Sequence, residues 1–269
     1  VPRFLNFGGL HNRVKTVGKT AVITGGAGGL GRALATALQD DGWFTALVDI
    51  SVQDIENGAR QHGYQCDLTD AAQTRGVCAQ ICADYPSIDL VIYNAGVTHI
   101  TTFAESDMAA HRKVFEINYF AAVACAQAFL QSLRASKGIH LAISSVAGFS
   151  PLLWRTSYAA SKHALEGFFK SLRSEERKFG VRTVIAAPSF VATNIGNEGR
   201  DASGLARPGS AKDGVDYMSA QEAAVVILNG LHRRRDFIPV GRVAWLSWVI
   251  NRLSPWIFQR LMERKINRE

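Results

Sequence analysis

The chain is poor in cysteine and has no long apolar run, and each shortage closes off a class of protein. Only Cys66, Cys78, Cys82 and Cys125 occur in 269 residues, with no CxxC among them, which excludes a disulfide scaffold. Cys78 and Cys82 are four apart and would share a helix face, but no histidine or carboxylate stands at ligand spacing, so no metal site is expected. Free thiols in the core of a cytoplasmic protein are the expectation. The most apolar stretch near the end, residues 243–250, is followed at once by Asn251 and Arg252 and is too short to span a bilayer. Residues 1–19 have no apolar core of a secretory leader and no acid: Arg3, Arg13, Lys15 and Lys19 give them +4. Residues 232–269 carry nine basic side chains against three acids, or +6, so the body between is at −3 of the total +7. No basic stretch is interleaved with stacking aromatics, and a nucleic-acid partner is not expected.

What is present is a regular alternation. Short apolar, β-rich runs at 20–24, 43–49, 64–67, 88–93, 139–144, 182–187 and 237–240 read as strands. Helical patterns at 30–38, 54–61, 71–84, 111–135, 157–179 and 220–231 lie between them. Near-continuous apolar strands joined by helices predict an α/β fold, a Rossmann-type doubly wound parallel sheet of about seven strands with helices on both faces. The expected organisation is a basic extension over 1–19, one domain over 20–240, and an amphipathic aromatic and basic extension over 241–269. Residues 196–214 are polar, glycine-rich and aperiodic, a candidate lid or else a surface insertion.

Three groups of residues carry chemistry. The first turn, Thr24-Gly25-Gly26-Ala27-Gly28-Gly29-Leu30-Gly31, is where a chain must leave a strand tightly and enter a helix whose free N–H groups hold a pyrophosphate. It satisfies GxGxxG, TGxxGxxG and TGxxxGxG at once. Asp49 ends the second strand, eighteen residues after Gly31; a carboxylate there binds ribose hydroxyls and repels a 2′-phosphate. No Lys or Arg follows at 50 or 51, so NAD is expected rather than NADP. Tyr158 and Lys162 stand at i and i+4 on one helix face, where an ammonium near a phenol favours the phenolate that proton transfer needs. Ser145, just beyond a strand, would bring a hydroxyl to the same place.

Taken in order, TGGAGGLG at 24–31, Asn94-Ala95-Gly96, Asn118, Ser145 in ISSVAG and YAASK at 158–162 resemble the short-chain dehydrogenase/reductase family, in its short single-domain branch. The resemblance spans roughly residues 18–240. It implies that Tyr158 exchanges the substrate proton, Lys162 bonds the nicotinamide ribose, Ser145 polarises the carbonyl and Asn118 holds a water. It implies cofactor contacts at Gly25, Gly28, Gly29, Leu30 and Gly31, at Asp49, Asp67 and Leu68, at Asn94, Ala95 and Gly96, at Tyr158 and Lys162, and at Pro188 and Thr193. Two departures stand out: Tyr93 replaces the usual Asn before the NAG, and Ser189 replaces the usual Gly after Pro188.

The expected activity is hydride transfer between NAD(H) and a secondary alcohol or ketone. Apolar residues at 100, 103, 149, 152–154 and 190 favour a lipophilic small-molecule substrate, steroid-, retinoid- or acyl-like. An NADPH-dependent 3-oxoacyl thioester reductase and a non-catalytic dinucleotide-binding protein are the alternatives. A homo-oligomer is expected. The tail holds Trp245, Trp248 and Trp256 between arginines, with a helix break at Ser254-Pro255. That pattern suits a helix lying on an anionic membrane surface, or aromatics packed over the substrate pocket or a subunit partner.

Overall fold

The computed structural model describes residues 18–193, 204–206 and 217–266. Most of the basic extension and of the candidate lid at 196–214 lies outside the described residues. The chain order is β1 (Thr20–Thr24), α1 (Gly29–Asp40), β2 (Phe44–Asp49), β3 (Gln61–Gln65), α2 (Ala71–Asp84), β4 (Leu90–Tyr93) and β5 (Thr98–His99). Then come α3 (Met108–Phe115), a π-helical turn (Glu116–Phe120), α4 (Ala121–Ser136), β6 (Ile139–Ile143), α5 (Thr156–Glu176) and β7 (Arg182–Pro188). Two-residue strands β8 (Val191–Ala192), β9 (Leu205–Ala206) and β10 (Met218–Ser219) precede α6 (Ala220–His232), β11 (Phe237–Val240), α7 (Arg242–Leu253) and α8 (Pro255–Ile266).

Seven strands form one sheet in the order β11-β7-β6-β4-β1-β2-β3, and every neighbouring pair is parallel. Side chains alternate across it as the pleat requires. Ala21 and Ile23 of β1 face a layer made by α1 and α6. Val22 between them faces Ile81 of α2, Phe129 of α4 and Phe169 of α5. This is the doubly wound sheet that the apolar strand runs imply. β1 sits between β2 and β4, so the strand order reverses there and opens a crevice at the carboxyl ends of the strands. The four cysteines are free.

Two expected elements differ. Residues 54–61 are not helical; β2 passes to β3 through an irregular segment in which Gly58 N–H donates to the Gln61 carbonyl and Ile55 is buried. Asn57 and Gly58 disfavour a helix interior, and the Asn57 side chain instead accepts from Gly63 N–H at 2.8 Å. The strand accordingly begins at Gln61, earlier than its apolar residues suggest. The single helix expected over 111–135 is two helices joined by the π-helical turn, which places Asn118.

At the other end Gly241, at φ 98°, turns the chain into α7. Trp248 stacks on Phe237 of β11 with ring centroids 5.7 Å apart, the Asn251 amide donates to the Phe149 carbonyl, and Phe258 of α8 is buried. The break at Ser254-Pro255 falls where it was expected.

Candidate active site

A cleft of about 700 Å³ runs along the carboxyl ends of the strands, and its lining changes character along its length. Its polar part is built on the β1–α1 turn. Gly25 has φ 64°, and a Cβ there would come within 2.9 Å of the Ala95 backbone. A Cβ on Gly29 would meet the Thr193 carbonyl at 2.9 Å, and one on Gly31 would overlap the Gly25 carbonyl oxygen. At Gly28 the nearest atom is 3.4 Å away, an ordinary contact. A Cβ on Gly26 would come within 2.8 Å of Leu47, so the protein's own packing requires Gly25, Gly26, Gly29 and Gly31, which include the glycines of the TGxxxGxG reading, and is permissive at Gly28. Leu30 begins the helix behind it and is buried.

Asp49 is held in this turn, since its Oδ2 accepts from Ala27 N–H at 2.9 Å. Asp67 lines the cleft beside Leu68 and accepts from both the N–H and the hydroxyl of Thr69, which holds its carboxyl below the ordinary value. Asn94 closes the other side: its amide donates to the Thr24 and Gly25 carbonyls, and Thr24 Oγ1 accepts from Asn94 N–H and Ala95 N–H. Tyr93, the departure before it, is buried and shares a 2.6 Å hydrogen bond with His140 Nδ1. Burial pushes His140 down to about 4, so this pair is neutral.

Of the four residues singled out for chemistry, Ser145, Tyr158 and Lys162 line the cleft, and Asn118 lies buried behind its wall. Tyr158 is buried at its wall, and a hydrogen bond from Ser145 opposes the upward push of burial on its phenol, with Arg155 adding to that opposition. Lys162 is one turn further along α5, its ammonium 5.9 Å from the Tyr158 ring centroid and donating to the Ile143 carbonyl at 2.9 Å. Burial pulls it down to about 8, and Glu166 acts in the other direction. Asn118, carried inward by the π-helical turn, accepts from Val97 N–H at 2.8 Å and donates to the Val97 carbonyl and to Ser161 Oγ. π-turns inside helices recur at functional sites because they re-aim one side chain. Gly96 leaves the gap between Asn118 and Lys162: a Cβ there would be 3.2 Å from one and 3.6 Å from the other.

Beyond Tyr158 the lining is apolar: Ile100, Leu152, Leu153, Trp154, Phe190 and Tyr217, with Pro188 and Thr193 at the boundary. Phe103 and Phe149, expected here, are elsewhere: Phe103 is exposed, and Phe149 packs its ring edge against Phe237. Ser189 turns its hydroxyl to the Val240 carbonyl at 3.2 Å, so the departure after Pro188 is absorbed by the neighbouring strand.

The C-terminal hairpin closes the apolar end through Val243, Ser247, Phe258 and Met262, which is one of the placements expected for the tail, although none of its three tryptophans lines the cleft. Sequence reasoning missed Glu166, 1% exposed, which accepts from Ser144 Oγ at 2.8 Å and Lys170 Nζ at 2.6 Å. Its signal was in the sequence, because Tyr158, Lys162, Glu166 and Lys170 continue one i+4 row.

A sequence profile described as short chain dehydrogenase matches residues 19–204, covering the turn, the Asn94 clamp, Asn118, Ser145, Tyr158 and Lys162. The chain belongs to this family. It is 29% identical over 262 residues to the mouse protein named dehydrogenase/reductase SDR family member 7B, an alignment covering 92% of this chain and 81% of that one. Its fold is similar to that of a short chain dehydrogenase from Burkholderia cenocepacia in complex with NADP, with a TM-score of 0.80 at 22% identity, covering 91% and 97% of the two chains. It is also similar to a short chain dehydrogenase/reductase from Burkholderia phymatum in complex with NAD, with a TM-score of 0.71 at 24% identity, covering 82% and 88%. Like the rest of its family, the chain is an NAD(P)-dependent oxidoreductase. The cleft suits such a dinucleotide: a glycine turn at a helix N-terminus, two carboxylates beside it, and a lysine at the far end.

Proposed function

We propose that the protein transfers a hydride between NAD(H) and a secondary alcohol or ketone on a lipophilic, steroid-, retinoid- or acyl-like molecule. The observation that carries this reading is the position of Tyr158 and Ser145 at the junction between the polar trough and the apolar chamber. The glycine turn, Asp49, Asp67 and Asn94 would hold the dinucleotide in the trough, and when bound it would supply or accept the hydride. Tyr158 passes the proton to or from the substrate oxygen, Ser145 donates a hydrogen bond to that oxygen, Lys162 bonds the ribose, and Asn118 holds a water behind Lys162. Asp49 supports NAD over NADP. Arg32, the basic group nearest to it along the trough, is engaged with the Ala27 carbonyl at 2.8 Å and with Asp54 at 3.8 Å. A second copy of the chain is proposed to cover the aromatic surface of Phe115, Tyr119, Phe120 and Phe168, whose rings interlock edge to face beside α4 and α5.

The test is a panel of alcohols offered with NAD⁺ or NADP⁺ while nicotinamide absorbance is followed. Turnover should favour large apolar secondary alcohols over polyols. Tyr158→Phe should remove nearly all of it yet leave NAD(H) binding within a few-fold, since only the proton donor is lost. Retention of about a tenth of the rate or more by that variant would overturn the assignment of Tyr158, and a preference for polyols would overturn the substrate class.

A further inference from the structure

Helix α7 turns Trp248 and its small side chains inward and leaves three large apolar ones exposed. Ala244 and Ser247 face the domain, while Trp245 is 53% and Leu253 82% exposed, with Leu246 on the same outer side. The face continues onto α8 through Trp256, 65% exposed, Ile257 and Leu261. A domain-packing helix would put these residues inward, so the outer face is built for a partner. Arginines surround it: Arg242 and Arg252 at the two ends of α7 and Arg260 on α8, lying over the Trp256 ring at 4.8 Å. The one carboxylate between residues 242 and 263 is Glu263, which accepts from Gln259.

We propose that the outer face of the α7–α8 hairpin docks on the surface of an anionic lipid bilayer. Tryptophans mixed with aliphatic side chains and rimmed by arginines match the boundary between acyl chains and acidic headgroups. Each helix has twelve residues, about 18 Å, well short of the ~30 Å hydrocarbon core, so the hairpin lies in the surface and does not cross. None of the helices among the described residues is long and apolar enough to cross. A second copy fits worse: a two-fold interface sets the same patch against itself and would bring arginine against arginine. The inner face of the same hairpin lines the apolar end of the cleft, so docking brings that end within a helix diameter, about 10 Å, of lipid. The docking itself does not depend on what the substrate is.

The full chain should sediment with vesicles of phosphatidylcholine containing phosphatidylserine, far less with phosphatidylcholine alone, and less as salt rises. Replacing Trp245, Leu253 and Trp256 together by serine should abolish sedimentation, with NAD(H) binding and oligomeric mass unchanged. Arg252→Gln with Arg260→Gln, which removes no apolar surface, should weaken binding to the acidic vesicles about tenfold and serves if the triple variant fails to fold. No sedimentation of the unaltered protein, sedimentation indifferent to acidic lipid, or sedimentation unmoved by both variants would each overturn the proposal. So would a fall in oligomeric mass in either variant, which would make the face a subunit contact.

Discussion

Lys162 is pulled two ways. Burial disfavours its ammonium and brings it down to about 8 from an ordinary 10.5, while the Glu166 carboxylate one turn further along α5 favours the charge. The folded protein therefore holds fewer protons at this site than the unfolded chain between those two values. This group's contribution to stability accordingly rises as pH climbs from about 8 to 10.5. For the chemistry the sign is reversed, because a neutral lysine no longer assists the phenolate. Glu166→Gln keeps an oxygen for Ser144 to donate to, while it removes the charge and the acceptor for Lys170 Nζ on the half-exposed side. Lys162 should then lose its proton at lower pH. The alkaline limb of kcat/KM for alcohol oxidation should move down by about one unit, with the thermal midpoint measured alongside. The other charges facing Glu166 are Lys170, bonded to it, and Lys162 itself. A limb that stays in place would reduce Glu166 to a clamp on the Ser144 segment.

At the scale of the element, the strand-to-helix turn holds a sharper prediction than its sequence did. Three glycine patterns overlap in residues 24–31, and spacing alone left them open. The structure separates them by what a Cβ would strike. Gly28→Ala should leave the melting temperature near that of the unaltered protein, because Gly28 has φ −71° and no protein atom nearer than 3.4 Å to a Cβ. Gly31→Ala should lower the melting temperature and lose cofactor binding by more than tenfold, since the new carbon meets backbone that cannot give way. Thermal melts of both variants and titration of Gly31→Ala by nicotinamide fluorescence check this, and equal melting temperatures would refute it. Strands buried on both faces were legible because their apolar runs are continuous. The β2–β3 crossover was not, since a buried Ile55 imitates helical periodicity while Asn57 and Gly58 prevent the helix. Nor was the π-helical turn, because inserting one residue per turn leaves no mark on composition. The placing of Asn118 and Lys162 about Gly96 is a tertiary fact. Their candidacy came from motif order, and only the fold brings them together.

Across the whole molecule, the cleft lies over the switch in strand order and is lined from the ends of β1, β2 and β4 and the start of α5, so a dinucleotide held in it would draw on all of these at once. A ligand that needs all of these binds the folded chain and not the unfolded one, and it must stabilise the fold by mass action. At one hundred times its dissociation constant the gain is about 2.7 kcal/mol. For a chain of this size, where each kcal/mol moves the midpoint by about 2–4 °C, that is a rise of about 5–10 °C. On the proposed preference for NAD, Asp49 would set which dinucleotide delivers it: its carboxylate is fixed to Ala27 N–H and would add like charge to a 2′-phosphate, and Arg32 is turned to Asp54. NAD⁺ should therefore raise the midpoint well above the value reached with the same concentration of NADP⁺, and the difference should shrink in Asp49→Ala. That variant also loses a hold on the glycine turn, so its midpoint without ligand should fall slightly, and the comparison must be made between ligands within each protein. Equal shifts with NAD⁺ and NADP⁺ in the unaltered chain would overturn the cofactor preference while leaving the dinucleotide site intact. No shift with either would remove the site itself.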